Sequence, residues 1–165
     1  MIQAAGLLVY RRRVGKVEVL LSHPGGPLWA KKNQWSIPKG EQDNGEDLLA
    51  TAYREFDEEI GIALPPHEPV SLGGAKATNK VNHIWAFEAD LDVSKFVCKS
   101  LVVMQWPPRS GQEIEFPEND KIAWFDLATA RERLFKNQQI FIDRLAEQLG
   151  ISLVATSEPS QQSLL

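Results

Sequence analysis

The spacing of apolar and polar positions changes along the chain, and each change marks a structural element. From Gln3 to Arg13 the pattern has period two. Ala5, Leu7 and Val9 lie on one side and Leu8 and Tyr10 on the other, and arginines close the run. A strand apolar on both faces belongs in the middle of a sheet. Val14-Gly15-Lys16 reads as a turn into a second β-rich run, Val17 to Ser22, so the two strands predict a hairpin. His23-Pro24-Gly25-Gly26-Pro27 predicts a loop. Ser36-Ile37-Pro38 reads as extended, because a residue before proline avoids the helical region.

From Glu46 to Ile60 the period becomes helical. Leu48, Leu49, Ala52, Tyr53, Phe56 and Ile60 fall on one apolar arc, which predicts a helix lying on the sheet. Glu46 and Asp47 are expected in its first turn, where the helix dipole favours carboxylates, and Gly61 is expected as a left-handed cap. Strand character returns at Val70 to Ala77 and Val81 to Leu91, with a turn around Ala75 to Lys80, and again at Cys98 to Trp106. Pro107 to Asp120 sustains no period and predicts a long polar loop. A short strand at Lys121 to Phe125 precedes helices at Leu127 to Lys136 and Gln138 to Leu149. The expectation is an α/β fold in which a mixed β-sheet is sandwiched between helices. It lacks the regular β-α-β alternation, and the Gly-x-Gly-x-x-Gly or Walker loops, of the common nucleotide folds. One domain is expected over residues 1–154, with a disordered polar tail at 155–165.

Composition narrows the partners. With 165 residues and 43% hydrophobic content the chain can bury one core. A formal net charge of −4 argues against bulk nucleic-acid or anionic-membrane binding, although a local basic patch can still hold phosphates. The single cysteine, Cys98, leaves no intrachain disulfide, which suits a reducing cytoplasm, the expected location. No apolar run approaches a membrane span, and the arginines follow the N-terminal apolar run, unlike a signal peptide.

Arg54-Glu55-Phe56-Asp57-Glu58-Glu59 concentrates negative charge on one short helix. Such a run is either a solvated acidic face or a seat for a divalent cation, which needs several oxygens converging on one point. Helical spacing sorts the acids. Glu55 and Glu59, four apart, stack on one face, and Glu58 is about 60° round from Glu55. Asp57 points away from Glu59. Arg54 can hold a neighbouring carboxylate through a forked pair of hydrogen bonds.

The stretch from Gly40 to Ile62 resembles the signature of the Nudix hydrolases, G-x5-E-x7-R-E-U-x-E-E-x-G-U, with U a bulky apolar residue. Gly40, Glu46, Arg54, Glu55, Phe56, Glu58, Glu59, Gly61 and Ile62 fill its positions in register. Phe56 is aromatic where an aliphatic residue is usual. The resemblance implies a Nudix fold and a Mg2+-dependent (or Mn2+-dependent) hydrolase that cleaves a diphosphate linkage. It implies that Glu55, Glu58, Glu59 and the Gly40 carbonyl hold the metal, while Glu46 and Arg54 brace the loop and helix. The implied catalytic carboxylates are Glu58, Glu59 and, from a later loop, Glu118, ranked above Glu115 and Glu113 for its place before Trp124.

Trp35-Ser36-Ile37-Pro38-Lys39-Gly40-Glu41 looks similar to the diadenosine polyphosphate hydrolases and their RNA 5′-end relatives. The expected substrate is therefore a dinucleoside polyphosphate such as diadenosine tetraphosphate. A housecleaning nucleoside triphosphate pyrophosphohydrolase, an RNA 5′-pyrophosphohydrolase and a non-catalytic nucleotide-binding Nudix module stand as alternatives. Candidate substrate contacts are Lys39, Trp35, Lys80 and Arg109, against the plainer readings of surface lysines and a packing tryptophan. The segment from Trp106 to Asp120 is expected to line the substrate cleft.

Overall fold

In the computed structural model, which describes residues 1–153, the first strand β1 (Ile2–Arg13) is buried from Ala4 to Tyr10. The expected boundary at residue 154 and the tail at 155–165 lie outside the described residues. β2 (Lys16–Pro24) folds back on β1 through Val14-Gly15, both at positive φ (48° and 74°). Two left-handed residues give a turn whose twist matches that of the strands it joins. β3 (Lys39–Glu41) pairs antiparallel with the start of β1, Ala5 opposite Gly40. The helix α1 (Leu48–Glu59) follows, then β4 (Val70–Lys76) and β5 (Lys80–Glu88). β6 (Leu101–Gln105), β7 (Glu113–Pro117) and β8 (Asn119–Asp126) lead to the helices α2 (Leu127–Arg133) and α3 (Gln139–Leu149).

The main sheet runs β4-β5-β1-β2-β8, with β3 also on β1. β1 and β5 are parallel and the other pairs antiparallel, so the sheet is mixed, as expected. Strand alternation sends Ala5, Leu7 and Val9 to one face, where they meet Ala52 and Phe56 of α1 and Ile60 at its C-cap. Leu8 and Tyr10 go to the other face, against Leu127, Phe141 and Leu145 of α2 and α3. The result is the expected α/β/α sandwich with a core on each side of β1. Among the described residues no helix is long and apolar enough to cross a membrane.

Two expectations need correction. The helix starts at Leu48, so neither Glu46 nor Asp47 lies in its first turn. Asp47 is the N-cap and accepts the Ala50 N–H at 3.2 Å, a role that suits a short carboxylate better than a place inside the helix. The segment from Pro107 to Asp120 is not one long loop. Glu113–Pro117 forms β7 and pairs with β6 as a separate two-stranded ribbon. Ile114 and Phe116 are the less exposed residues of its short alternation, and the pairing with β6 carries the strand.

The C-terminal end of α1 is tied to the segment before β6. The Glu58 carbonyl accepts N–H groups from Lys99 (2.7 Å) and Ser100 (3.2 Å), and the Ile60 carbonyl accepts that of Val97 (3.0 Å). Gly61, at φ 69°, makes the expected left-handed cap, and a methyl group added there would run into the Val97 carbonyl oxygen. Gly61→Ala combines backbone strain with that collision and is expected to cost about 2 kcal/mol or more of stability. Urea unfolding measures it, and a loss under about 0.5 kcal/mol would contradict this account of the turn.

Candidate active site

Because Ala52, Phe56 and Ile60 anchor α1 on the sheet, Glu55 and Glu59 stand where the helix meets β3 and β8. Glu59 is only 3% exposed. Its Oε1 accepts a hydrogen bond from Asn119 Nδ2 at 2.9 Å, while its Oε2 is buried without a partner among the described residues. Gly40 lies against the Glu55 carboxylate so closely that any side chain at position 40 would collide with it. Glu55 Oε1 accepts a hydrogen bond from Arg54 Nη1 at 3.0 Å.

Glu118 reaches the group from the turn between β7 and β8. Its Oε1 accepts the Ser100 hydroxyl, and its backbone N–H donates to the Ser100 carbonyl at 2.8 Å. Ser100 is itself held by the Glu58 carbonyl, so the chain fixes Glu118 to the end of α1.

Arg54 organises the outer side. Its Nε and Nη2 grip both oxygens of Glu46 at 2.9 Å, and Nη2 also donates to the Glu41 carbonyl at 3.0 Å. Glu46 further accepts the Asp43 N–H and the Thr51 hydroxyl. The 41–46 loop, with Gly40 at its entrance, is thereby clamped to the helix. Arg54 Nη1 also takes both oxygens of Glu58 at 3.3 Å.

The electrostatics follow from burial. Burial, then the charge of Glu118 and the neighbouring Glu55 carboxyl, push Glu59 well above the ordinary carboxyl range; Asn119 offsets part of this. Burial raises Glu55 as well, against the pull of Glu59 and Arg54. Glu46 goes the other way, down to about 2, chiefly through its hydrogen bonds from Arg54 and then Thr51. Burial and the neighbouring Lys80 lower the Lys39 ammonium, against the attraction of Glu59, Glu118 and Glu55.

The structure thus brings together Glu55, Glu59, Glu118, Gly40 and Lys39. Glu58 is the most open of the helix glutamates, with 42% of its side chain exposed, and it is turned toward Arg54. Among the described residues no three acidic, histidine or cysteine side chains stand together at the spacing of a cation cage. Two observations still suit a hard cation: a buried carboxylate oxygen with no partner, and a backbone position open only to glycine beside a second carboxylate.

Lys39 and Lys80 line one cavity of about 300 Å3 on the face of the sheet that carries α2 and α3. Asn82, Phe135, Asn137 and Gln138 are also in its wall. Trp35 is elsewhere. It is 6% exposed, gives its Nε1–H to Asn33 Oδ1, and packs edge-on against Phe125 and His23, so it belongs to the core. Its backbone nonetheless supports the cavity wall, because its carbonyl accepts the N–H of Phe135, which lines the cavity, at 3.1 Å. Gln138 Oε1 likewise holds the Ile37 N–H at 2.8 Å. Arg109 sits exposed between β6 and β7, and among the described residues no polar contact links it to the acidic group. Sequence reasoning missed Ser100, Asn119, Asn82, Phe135 and Asn137. Only Asn119 had a signal, its place directly after Glu118.

Comparisons with known proteins identify the family. A family model for the NUDIX domain matches residues 2–145. A bis(5′-nucleosyl)-tetraphosphatase (asymmetrical) of Caenorhabditis elegans is 43% identical over 61 residues, 37% of this chain and 41% of that protein. The match therefore spans less than half the length of that relative. An RNA pyrophosphohydrolase of Bartonella henselae is 26% identical over 150 residues, 74% of this chain and 79% of that protein. A crystal structure of a C. elegans Ap4A hydrolase in a binary complex aligns with a TM-score of 0.61 at 22% identity. It covers 91% of this chain and 98% of the other, a likeness of fold.

Two outcomes test the electrostatics. Glu46 has a lowered pKa in the fold, so its contribution is fully present above the ordinary glutamate range and is lost as pH falls toward about 2. The urea midpoint of Glu46→Gln is expected to lie below that of the wild type at pH 7 and to converge with it near pH 2.5; a constant gap would contradict the Arg54 clamp. Glu59 has a raised pKa, so the wild type loses stability as pH rises above the usual carboxyl range. Without divalent cations, Glu59→Gln is expected to be more stable than wild type at pH 8 by ~1–2 kcal/mol, with no advantage at pH 4. A less stable Glu59→Gln protein at pH 8 would show that this carboxylate is not strained by burial.

Proposed function

The chain belongs to the Nudix hydrolase family, and from that premise we propose that it is a divalent-cation-dependent hydrolase of dinucleoside polyphosphates such as diadenosine tetraphosphate. The observation that carries this reading is the meeting of two sites at β3: the Glu55–Glu59 seat beside Gly40, and the Lys39–Lys80 cavity on the opposite face. The first suits a cation facing a diphosphate, the second a nucleoside with its phosphates directed toward the seat. The similarity to the C. elegans tetraphosphatase supports the substrate class.

Glu55, Glu59 and the Gly40 carbonyl would hold Mg2+ or Mn2+, with Glu58 and Glu118 at the rim. When bound, the cation neutralises charge on the diphosphate and makes water a stronger acid. The chain's own groups do the rest. Lys39 and Lys80 place ammonium charge against the phosphate oxygens. The Ser100 hydroxyl holds Glu118 by one carboxylate oxygen, which leaves the other to take a proton from the attacking water. Water oxygen bonds to phosphorus, the bridging P–O bond breaks, and the leaving nucleotide departs with that electron pair. Arg54 acts at a distance, by clamping the 41–46 loop and so holding Gly40 against Glu55. Phe135 offers an aromatic face to a base in the cavity.

The longer match to an RNA pyrophosphohydrolase favours a second reading, removal of pyrophosphate from an RNA 5′ end. A panel of diadenosine tetraphosphate, nucleoside triphosphates, ADP-ribose and triphosphorylated or capped RNA separates the two. The expected result is fastest turnover of diadenosine tetraphosphate, lost on chelation and restored by Mg2+. Glu59→Gln is expected to lower kcat at least about a hundredfold. Activity that survives chelation, or a fully active Glu59→Gln protein, overturns the proposal.

A further inference from the structure

We propose that Asn82 is a specificity-determining residue: its side-chain carbonyl accepts a hydrogen bond from the exocyclic amine of an adenine seated in the Lys39–Lys80 cavity. This rests on the nucleoside reading of that cavity and goes beyond it, from a place for a base to the edge by which the base is read.

Asn82 lies on β5, is 1% exposed and lines the cavity. Its Oδ1 is buried and has no hydrogen-bond partner among the described residues. The sheet does not supply one. Asn82 is in register with Ala4 of β1 on one side and Ala75 of β4 on the other, and both carry only a methyl group. A buried acceptor without a donor is costly and uncommon in native structures. The β-branched and aliphatic residues that fill most of this sheet would avoid that cost. An asparagine is retained where the cavity's occupant supplies the missing N–H.

The other walls say what that occupant is. Lys39 and Lys80 bring two ammonium groups to the wall, suited to phosphate, and Phe135 brings an aromatic ring, suited to a flat heterocycle. A flat ring joined to phosphates, with an N–H on its edge, is a nucleotide whose base carries an amine. Adenine presents its 6-amino group as that donor. The same purine without the amine leaves Oδ1 unpaired, and a site built around one hydrogen bond discriminates against the analogue lacking it.

The test compares diadenosine tetraphosphate with the same molecule built from unsubstituted purine in place of adenine, using the full chain with Mg2+. Wild type is expected to prefer the adenine compound by about tenfold in kcat/KM, mostly through KM. In Asn82→Ala that ratio is expected to fall to near unity. Equal kcat/KM for the two compounds in wild type overturns the inference and needs no variant. So does an Asn82→Ala protein, folded by its urea midpoint, that keeps the preference. If wild type turns over neither compound, the dinucleotide reading fails and this inference with it.

Discussion

Several carboxylates gathered where there is little water are costly, and much of this structure offsets that cost. Glu59 is buried and Glu55 nearly so, and burial raises both from the ordinary carboxyl value. Left to themselves such groups neutralise by taking up protons. The fold supplies Arg54 on the outer side, Asn119 on the inner side, the Ser100 hydroxyl at Glu118 and the ammonium of Lys39 nearby. Glu59 Oε2 is still left unpaired. A cation among these oxygens would supply what the protein does not. The same logic explains why the site is built on rigid parts: small displacements of the Arg54 clamp or the Ser100 tie would leave like charges unscreened.

The short strand β3 joins the two halves of the site. Neighbouring residues of a strand face opposite ways. Gly40 faces α1 and lies against Glu55, while Lys39 crosses Gly6 of β1. A side chain at Gly6 would collide with the Pro38 carbonyl and the stem of Lys39, so the central strand carries a glycine where the 38–39 segment comes close. One step along the backbone therefore leads from the acidic seat to the cavity on the other face. Hydrogen bonds from Phe135 to the Trp35 carbonyl and from the Ile37 N–H to Gln138 dock the cavity wall onto the segment that runs into Lys39. The acidic group and the cavity thus share one stretch of chain.

Local pattern made parts of this legible. The doubly apolar run of β1 predicted a central strand, and the apolar arc of α1 predicted the face that packs. Glu55 and Glu59 were placed together by helical spacing alone. The start of α1 was misread because a carboxylate can serve equally in a first turn or as a cap, and only the pull of Arg54 on Glu46 and the bond from Ala50 to Asp47 decide between them. β7 was misread because its alternation is short and lies among prolines and polar residues, so its pairing with β6 carries it. Trp35 stood open between a substrate contact and a packing residue because sequence cannot tell a buried indole from an open one. Its burial depends on His23 and Phe125, distant in sequence.

What the sequence by itself determined is the local order: the central strand, the amphipathic helix, the spacing of its glutamates and the motif that matches the family. These depend on dihedral periods and near neighbours, which a linear pattern records. The tertiary structure alone decided that Glu59 is buried against Asn119, that Glu118 is held by Ser100, and that Lys39, Lys80, Asn82 and Phe135 wall one cavity. Each joins segments far apart along the chain, and their approach is set by how the two faces of the sheet are covered, which no single stretch encodes.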